Sequence, residues 1–403
     1  MDKPLPQNTD CCADKPASCA CTSSQPISIQ PGMPDPGQDD VCCGPPPEPA
    51  SSHFERPGYE LCRFVEDFVD TAVGPVPKIK TVLDRTDHAG RMAARWGINR
   101  NNYRVAPGLY CVGTPDHHAP VLVTANYKLT FDVLRRQLES ISAWILVLDT
   151  RGINVWCAAG KELFSSGEVV RRVKQTGLAN IVEHRRLILP QLSATGVSAH
   201  QVKKDSGFKI TWGPIRSEDV PSFLQNDFKA DNSMRRVTFP ITERLALVPM
   251  ELSHLVKPSV LVLLGIFIAS GIGSSIFSLA AAWPRGLMAT AAYIAGILAG
   301  ALLAPLLLPW IPVRLFALKG AITGFICGIG ILLIFYTTLH FWESLALLLS
   351  TTAISSYLSM NFTGSTPFTS PSGVEKEMRK AIPLQAIAVL IAVVAWIGSG
   401  FVT

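Results

Sequence analysis

The sequence predicts an α/β Rossmann-like domain followed by an all-α membrane domain of five transmembrane helices, behind a disordered Pro/Cys-rich N-terminus. Strand-like and helix-like stretches alternate from Arg104 onward. Long apolar runs dominate everything after Pro258, and eleven prolines crowd the first fifty residues. The expected division is an extension over 1–55, a soluble domain over 56–235, a linker over 236–258 and a membrane domain over 259–403.

Taken in order, YRVAPGLYCVG and APVLVTA read as short strands, rich in β-branched residues and bounded by Gly and Pro. From Lys128, KLTFDVLRRQLESIS places Leu129, Val133, Leu134, Leu138 and Ile141 at helical spacing. AWILVLD, Ala143 to Asp149, is a continuous apolar run of the kind a buried parallel strand needs. EVVRRVKQTG is a helix stopped by Gly177; RRLILP a strand; GVSAHQVKKDSG a helix; FKITWG a strand; SEDVPSFLQNDF a helix capped by Ser217.

Five apolar segments are long enough to span a bilayer: Ser259–Ala282, Gly286–Leu308, Leu315–Thr338, Ser344–Asn361 and Ile382–Val402. Trp283, Trp310 and Trp342 fall at their expected ends, and Lys319 is placed to snorkel to the interface. Arg235, Arg236, Arg244, Lys257, Arg314, Lys319, Lys376, Arg379 and Lys380 lie on one side, and only Arg285 on the other. Positive-inside bias therefore predicts a cytoplasmic N-terminal domain, a multi-pass anchor in the cytoplasmic membrane and an external C-terminus. Ionisable residues are scarce in the spans, which favours an anchor over a pore. Gly265, Gly271 and Gly273, and Gly324, Gly328 and Gly330, suit close helix packing, with Cys327 a small packed residue.

The net charge of +5 is modest, and no basic stripe with interleaved aromatics argues for nucleic acid. Of ten cysteines, six lie early, as Cys11, Cys12, Cys19, Cys21, Cys42 and Cys43. No CxxC occurs, which argues against an iron–sulfur cluster held by this chain alone. An apolar signal-peptide core is also absent, so a reducing cytosol is expected around the soluble domain. His117 and His118 read as exposed turn residues.

NVWCAAGK, Asn154 to Lys161, follows the strand AWILVLD and so falls on the ligand-binding rim of such a sheet. A phosphate loop is excluded, because Val155 stands where the first Gly belongs and Glu162 replaces Ser/Thr. Asn154 as N-cap would make Cys157 the third helical residue, near the positive end of the helix and one turn from Lys161. Both features favour a thiolate, a soft metal ligand, although many lone cysteines are simply small buried residues. Ala158, Ala159 and Gly160 leave room for a flat group.

NVWCAAGK, together with VRRVKQTGLANIVEHRRLILPQL, PVLVTANYKLTFDVLR and the loop NFTGSTPFTSPSGVEKEM, resembles the mercury methylation corrinoid protein family. That resemblance implies a corrinoid-binding domain, similar to that of the corrinoid iron–sulfur protein of acetyl-CoA synthesis, joined to five spans. It implies Cys157 as lower axial cobalt ligand, with Asn154, Val155, Trp156, Ala158, Ala159, Gly160 and Lys161 shaping the cap. Corrin-cradle candidates at strand ends are Thr124, Asn126, Ser193, Thr195, Gly196, Gly213 and Pro214. The implied reaction is methyl transfer to Hg(II). The implied partners are a two-cluster [4Fe-4S] ferredoxin-like reductase and a methyl-donor protein or methyltetrahydrofolate-linked donor. The six early cysteines read equally as Hg(II) capture or as an inert tail. A corrinoid carrier for one-carbon metabolism and a cofactor-free thiol-rich metal-binding membrane protein are the competing functions.

Overall fold

A computed structural model describes residues 63–362 and 371–402. The whole of the expected 1–55 extension with its six cysteines, the residues after it up to Cys62, and residues 363–370 of the NFTGSTPFTSPSGVEKEM loop lie outside those residues.

The first strands are β1 (Val65–Thr71) and β2 (Gly74–Ile79), followed by helix α1 (Arg85–Arg95). Then come β3 (Gly108–Val112), β4 (Val121–Ala125), α2 (Lys128–Arg136), β5 (Ala143–Leu148), α3 (Val155–Gly160) and α4 (Ser166–Gln175). β6 (Arg186–Leu189), α5 (Ala199–Ser206), β7 (Lys209–Trp212) and α6 (Val220–Gln225) complete this part. One seven-stranded sheet runs β1-β2-β3-β5-β4-β6-β7.

The expected parallel sheet is only partly realised. β5, β4, β6 and β7 are mutually parallel, but β3 pairs antiparallel with β5, and β1 antiparallel with β2. Chain length explains the reversal at β3. Residues 113–120 are too few for a crossover, which takes a dozen or more, so β4 must run back the other way. The β1–β2 hairpin and α1 precede Arg104, inside the expected 56–235 domain but ahead of the elements read from the sequence. Ser217 does not cap by its side chain; it opens a single turn of tighter helix ahead of α6.

Each face of the sheet has its own core. Val121, Val123, Trp144, Leu146 and Leu148 pack under α3, α4 and α5 with Phe164, Val169 and Val202. Leu122, Ile145, Val147 and Ile188 pack against Phe131, Leu134 and Phe223 of α2 and α6. One charged cluster joins α1 to α2. Fully buried Arg135 donates Nε to Asp132 (2.8 Å), Nη2 to Asp87 (2.6 Å) and Nη1 to the Lys80 carbonyl (2.6 Å). Lys128 Nζ adds contacts to Asp87 at 2.6 Å and Asp132 at 2.8 Å. Burial pushes the Asp87 carboxyl up, but the hydrogen bond and charge of Lys128, and then Arg135, outweigh it and hold the group at about 2.

The rest of the chain is helical: α7 (Ile241–Leu245), α8 (Val248–Gly271), a two-residue-per-strand hairpin β8 (Ile272–Gly273) and β9 (Ile276–Phe277), then α9 (Leu279–Leu298). A π turn over Ala299–Leu303 leads into α10 (Ala304–Leu306), and α11 (Phe316–Ile334), α12 (Phe341–Met360) and α13 (Pro371–Ser399) follow. Among the described residues, four segments are long and apolar enough to cross a membrane: Ile241–Gly271, Leu279–Leu306, Phe316–Ile334 and Glu375–Ser399. The expected first span thus starts earlier and breaks at the hairpin rather than reaching Ala282. The expected fourth, α12, has the length of a span but is diluted by serine and threonine.

Those hydroxyls explain its composition. On α12, Ser355 Oγ donates to the Gly320 carbonyl (2.7 Å), Ser356 Oγ to Ala317 (2.8 Å) and Ser359 Oγ to Phe316 (2.7 Å), all on α11. A Cβ on Gly320 would collide with Ser359 Oγ, and one on Gly324 would sit 2.5 Å from Ser355 Cβ. Gly265 and Gly330, by contrast, face open space. Lys319 does not snorkel: it is buried and donates to the carbonyls of Leu308 and Ile311, where the preceding helix leaves its last acceptors. The bundle also contains a buried ion pair, Arg285 Nε to Glu343 Oε1 at 3.2 Å, with further Arg285 bonds to the Ser270 carbonyl and Ser399 Oγ.

Candidate functional site

Within the parallel part of the sheet, the chain moves from β4 to β5 on one side and then to β6 on the other. The crevice between β4 and β6 is therefore the topological switch point, where ligands bind beyond strand C-termini. β4 and β6 are paired in parallel through Leu122 and Ile188. A cavity of about 290 Å³ opens there, lined by Thr124, Asn154, Val155, Trp156, Pro190, Gly213, Pro214 and Arg216, among others.

The cap helix α3 forms one wall. Asn154 is its N-cap, with Oδ1 accepting from the Cys157 backbone N–H at 2.9 Å, so Cys157 is the third helical residue as expected. Cys157 is a half-buried thiol, Val155, Ala158 and Ala159 point into the core, and Trp156 is 44% exposed. Lys161 closes the helix and Glu162 turns the chain at φ 57°. A Cβ added at Gly160 meets nothing within 4 Å, so the outer surface of α3 is open. The buried thiol of Cys111 is a different case: burial pushes it up to about 12 and Pro77 O accepts its hydrogen bond.

The loop before α3 is built on Asn126. Its Oδ1 accepts from the backbone N–H groups of Thr150 (3.0 Å) and Gly152 (2.9 Å) and from Thr150 Oγ1 (2.9 Å). Its Nδ2 donates to Asp149 Oδ1 at 3.1 Å. Thr150 Oγ1 also bonds the Ile153 carbonyl, and Asp149 N–H donates to Glu168 on α4. This arrangement allows Arg151 and Gly152 to take φ of 55° and 77°. Asn126 is fully buried and is the scaffold of the cap loop.

The remaining candidates divide. Thr124, Gly213 and Pro214 line the cavity with Asn154, Val155 and Trp156. Thr195 and Gly196, with Ala159 and Gly160, line a second, more open hollow of about 420 Å³ behind α3. Gly196 lies against that helix: a Cβ there would strike the Phe164 carbonyl and sit 2.8 Å from the Ala159 carbonyl. Ser193 is fully buried and donates to the Pro190 carbonyl at 2.8 Å. Sequence reasoning missed Thr130, Arg216 and Val220 on the cavity wall and the Asp149–Thr150–Glu168 network. Asp149 and Thr150 carried a signal, being polar residues directly after a buried strand.

The donor type suits a corrinoid cobalt, while the candidate cradle residues are divided between two hollows, neither of them lined by Cys157. Cys157 offers a soft sulfur on the open surface of α3, and Gly160 leaves unfilled volume beside it. Residues 97–224 match the family described as CO dehydrogenase/acetyl-CoA synthase delta subunit. The gamma subunit of the acetyl-CoA decarbonylase/synthase complex from Methanopyrus kandleri is 35% identical over 130 residues, covering 32% of this chain and 28% of that protein. Its counterpart from Methanocaldococcus jannaschii is 33% identical over 133 residues, covering 32% and 26%. The corrinoid/iron-sulfur protein large subunit of Moorella thermoacetica is 28% identical over 169 residues, covering 40% and 37%. The chain spans well under half the length of these relatives, and the family match ends ahead of the apolar helices. Over that region, the sheet domain is similar to subunits of acetyl-CoA decarbonylase/synthase complexes and to a corrinoid/iron-sulfur protein large subunit.

Proposed function

We propose that this is a membrane-anchored corrinoid protein that transfers a methyl group to Hg(II), with Cys157 as the lower axial ligand of the cobalt. The observation that carries the reading is Cys157 itself: a thiol at the third position of a capped helix, on an open surface, beyond the carboxyl ends of parallel strands. The resemblance of NVWCAAGK and the apolar helices to the mercury methylation family supplies the substrate.

A bound corrinoid would supply the transferable methyl group, and the protein tunes it through the axial ligand. Cys157 would hold the cobalt through its sulfur and, as a thiolate, enrich it in electron density. That favours departure of the methyl with its bonding electrons, the form an electrophilic Hg(II) substrate accepts. Asn154 fixes the start of the cap helix, and Asn126 fixes the loop that presents it. Thr124, Gly213 and Pro214 would receive the edge of the ring in the crevice, with Trp156 and Lys161 at its border. The domain faces the cytoplasm in this reading, with a two-cluster ferredoxin-like protein as reductant and a separate methyl donor upstream.

The test is anaerobic purification of the full chain in detergent and reconstitution with methylcobalamin, comparing wild type with Cys157→Ala and Cys157→His. Expected is an altered visible spectrum and at least a tenfold loss of Hg(II) methylation in both variants. Matching spectra and rates would remove Cys157 as ligand. A second reading, a corrinoid methyl carrier in one-carbon metabolism, is favoured by the relatives being acetyl-CoA decarbonylase/synthase subunits. It predicts a loaded wild-type protein that binds the corrinoid but leaves Hg(II) unmethylated.

A further inference from the structure

At the amino-terminal ends of β4 and β6, the opposite end of those strands from α3, three side chains of metal-ligand type meet that methyl transfer leaves unused. His117 and His118 lie in the β3–β4 connection, and Glu183 lies just ahead of β6. His117 Nε2 is 3.5 Å from Glu183 Oε1, and His118 Nε2 is 3.8 Å from Glu183 Oε2. One ligand atom from each residue falls within 4.8 Å of the others. Nitrogen and oxygen ligands about 2.1 Å from a tetrahedral ion are separated by about 3.4 Å, so the side chains already stand close to that spacing.

The backbone beneath them is fixed without any ion. Glu183 N–H donates to the His117 carbonyl at 3.0 Å, tying together two segments distant in sequence. A ring nitrogen of His184 is 2.9 Å from the Ala119 carbonyl. His118 N–H donates to Asp116 Oδ1 at 2.9 Å, and Trp144 Nε1 anchors the Asp116 carbonyl at 2.9 Å. Two imidazoles and a carboxylate suit a borderline divalent ion, with water at the fourth position.

We propose that His117, His118 and Glu183 form a surface site for a divalent transition-metal ion of the Zn2+ class, which clips the β3–β4 connection to the segment entering β6. The site is independent of the corrinoid reading. Its side chains are 52%, 67% and 66% exposed, so substitution there leaves the core intact.

The experiment titrates Zn2+ calorimetrically into the full chain in detergent, after N-ethylmaleimide has blocked the accessible thiols. Expected is one Zn2+ per wild-type chain, bound at least tenfold more weakly by His117→Ala, His118→Ala and Glu183→Gln. His200→Ala, an exposed histidine elsewhere, should bind as wild type. Zn2+ should also raise the unfolding midpoint of wild type and not of His118→Ala. Wild type that binds no Zn2+, or variants that bind as wild type does, would overturn the proposal.

Discussion

The sheet and the helical bundle are assembled from opposite materials. Under the sheet, the largest fully buried side chains include Phe131, Phe164, Phe208, Phe223, Leu138 and Ile145. Between α11 and α12, the closest approach is made at Gly320 and Gly324, with Ser355 and Ser359 pressed against them. In water, removing bulky apolar surface drives association. Between helices that cross a bilayer that drive would be absent, and close backbone approach with hydroxyl-to-carbonyl bonds would take its place. Charge follows the same division. Arg135 ties α1 to α2 through two carboxylates, whereas Arg285 and Lys319 in the bundle spend most of their donors on main-chain carbonyls at helix ends.

This contrast is breakable. The largest effect is expected at Arg135→Met, which leaves Asp132 buried with one cation fewer. Removing one partner of a buried pair costs about 3–5 kcal/mol, read as a fall in the denaturant midpoint of the sheet part. Loss of less than a third of that would mean that Lys128 alone sustains the cluster. In the bundle, Gly320→Val should destabilise by about 3 kcal/mol through overpacking, while Gly330→Val, facing open space, should be near neutral. Equal thermal stability of the two variants in detergent would refute the glycine contact. The smallest effect is acid titration. Asp87 is held at about 2, below its ordinary 3.8, so its contribution is complete above pH 3.8 and disappears as pH falls toward 2. That window is worth roughly 2 kcal/mol, and Asp87→Asn should flatten the stability profile across it.

How far these features were readable in the sequence depended on how local their causes were. The cap at Asn154 and the position of Cys157 follow from three adjacent residues, and both are where the motif placed them. Thr124, Gly213 and Pro214 follow from strand ends, and they line the cavity. Asn126 looked identical to Thr124, a polar residue at the end of a strand. Its direction depends on partners 23 to 26 positions away, which no local pattern displays. The reversal of β3 was equally hidden, since a fully buried strand reads the same in either direction. Glu183 became a neighbour of His117 only through the register of β4 and β6.

The Asn126 network has a thermodynamic consequence for whatever occupies the crevice. A loop segment that froze only on binding would subtract its ordering entropy from the affinity, about 1–2 kcal/mol per residue. Here four hydrogen bonds to one buried amide hold Asp149 through Gly152 in place beforehand. The entropy is lost once, when the chain folds, and an incoming ligand meets a helix already aimed.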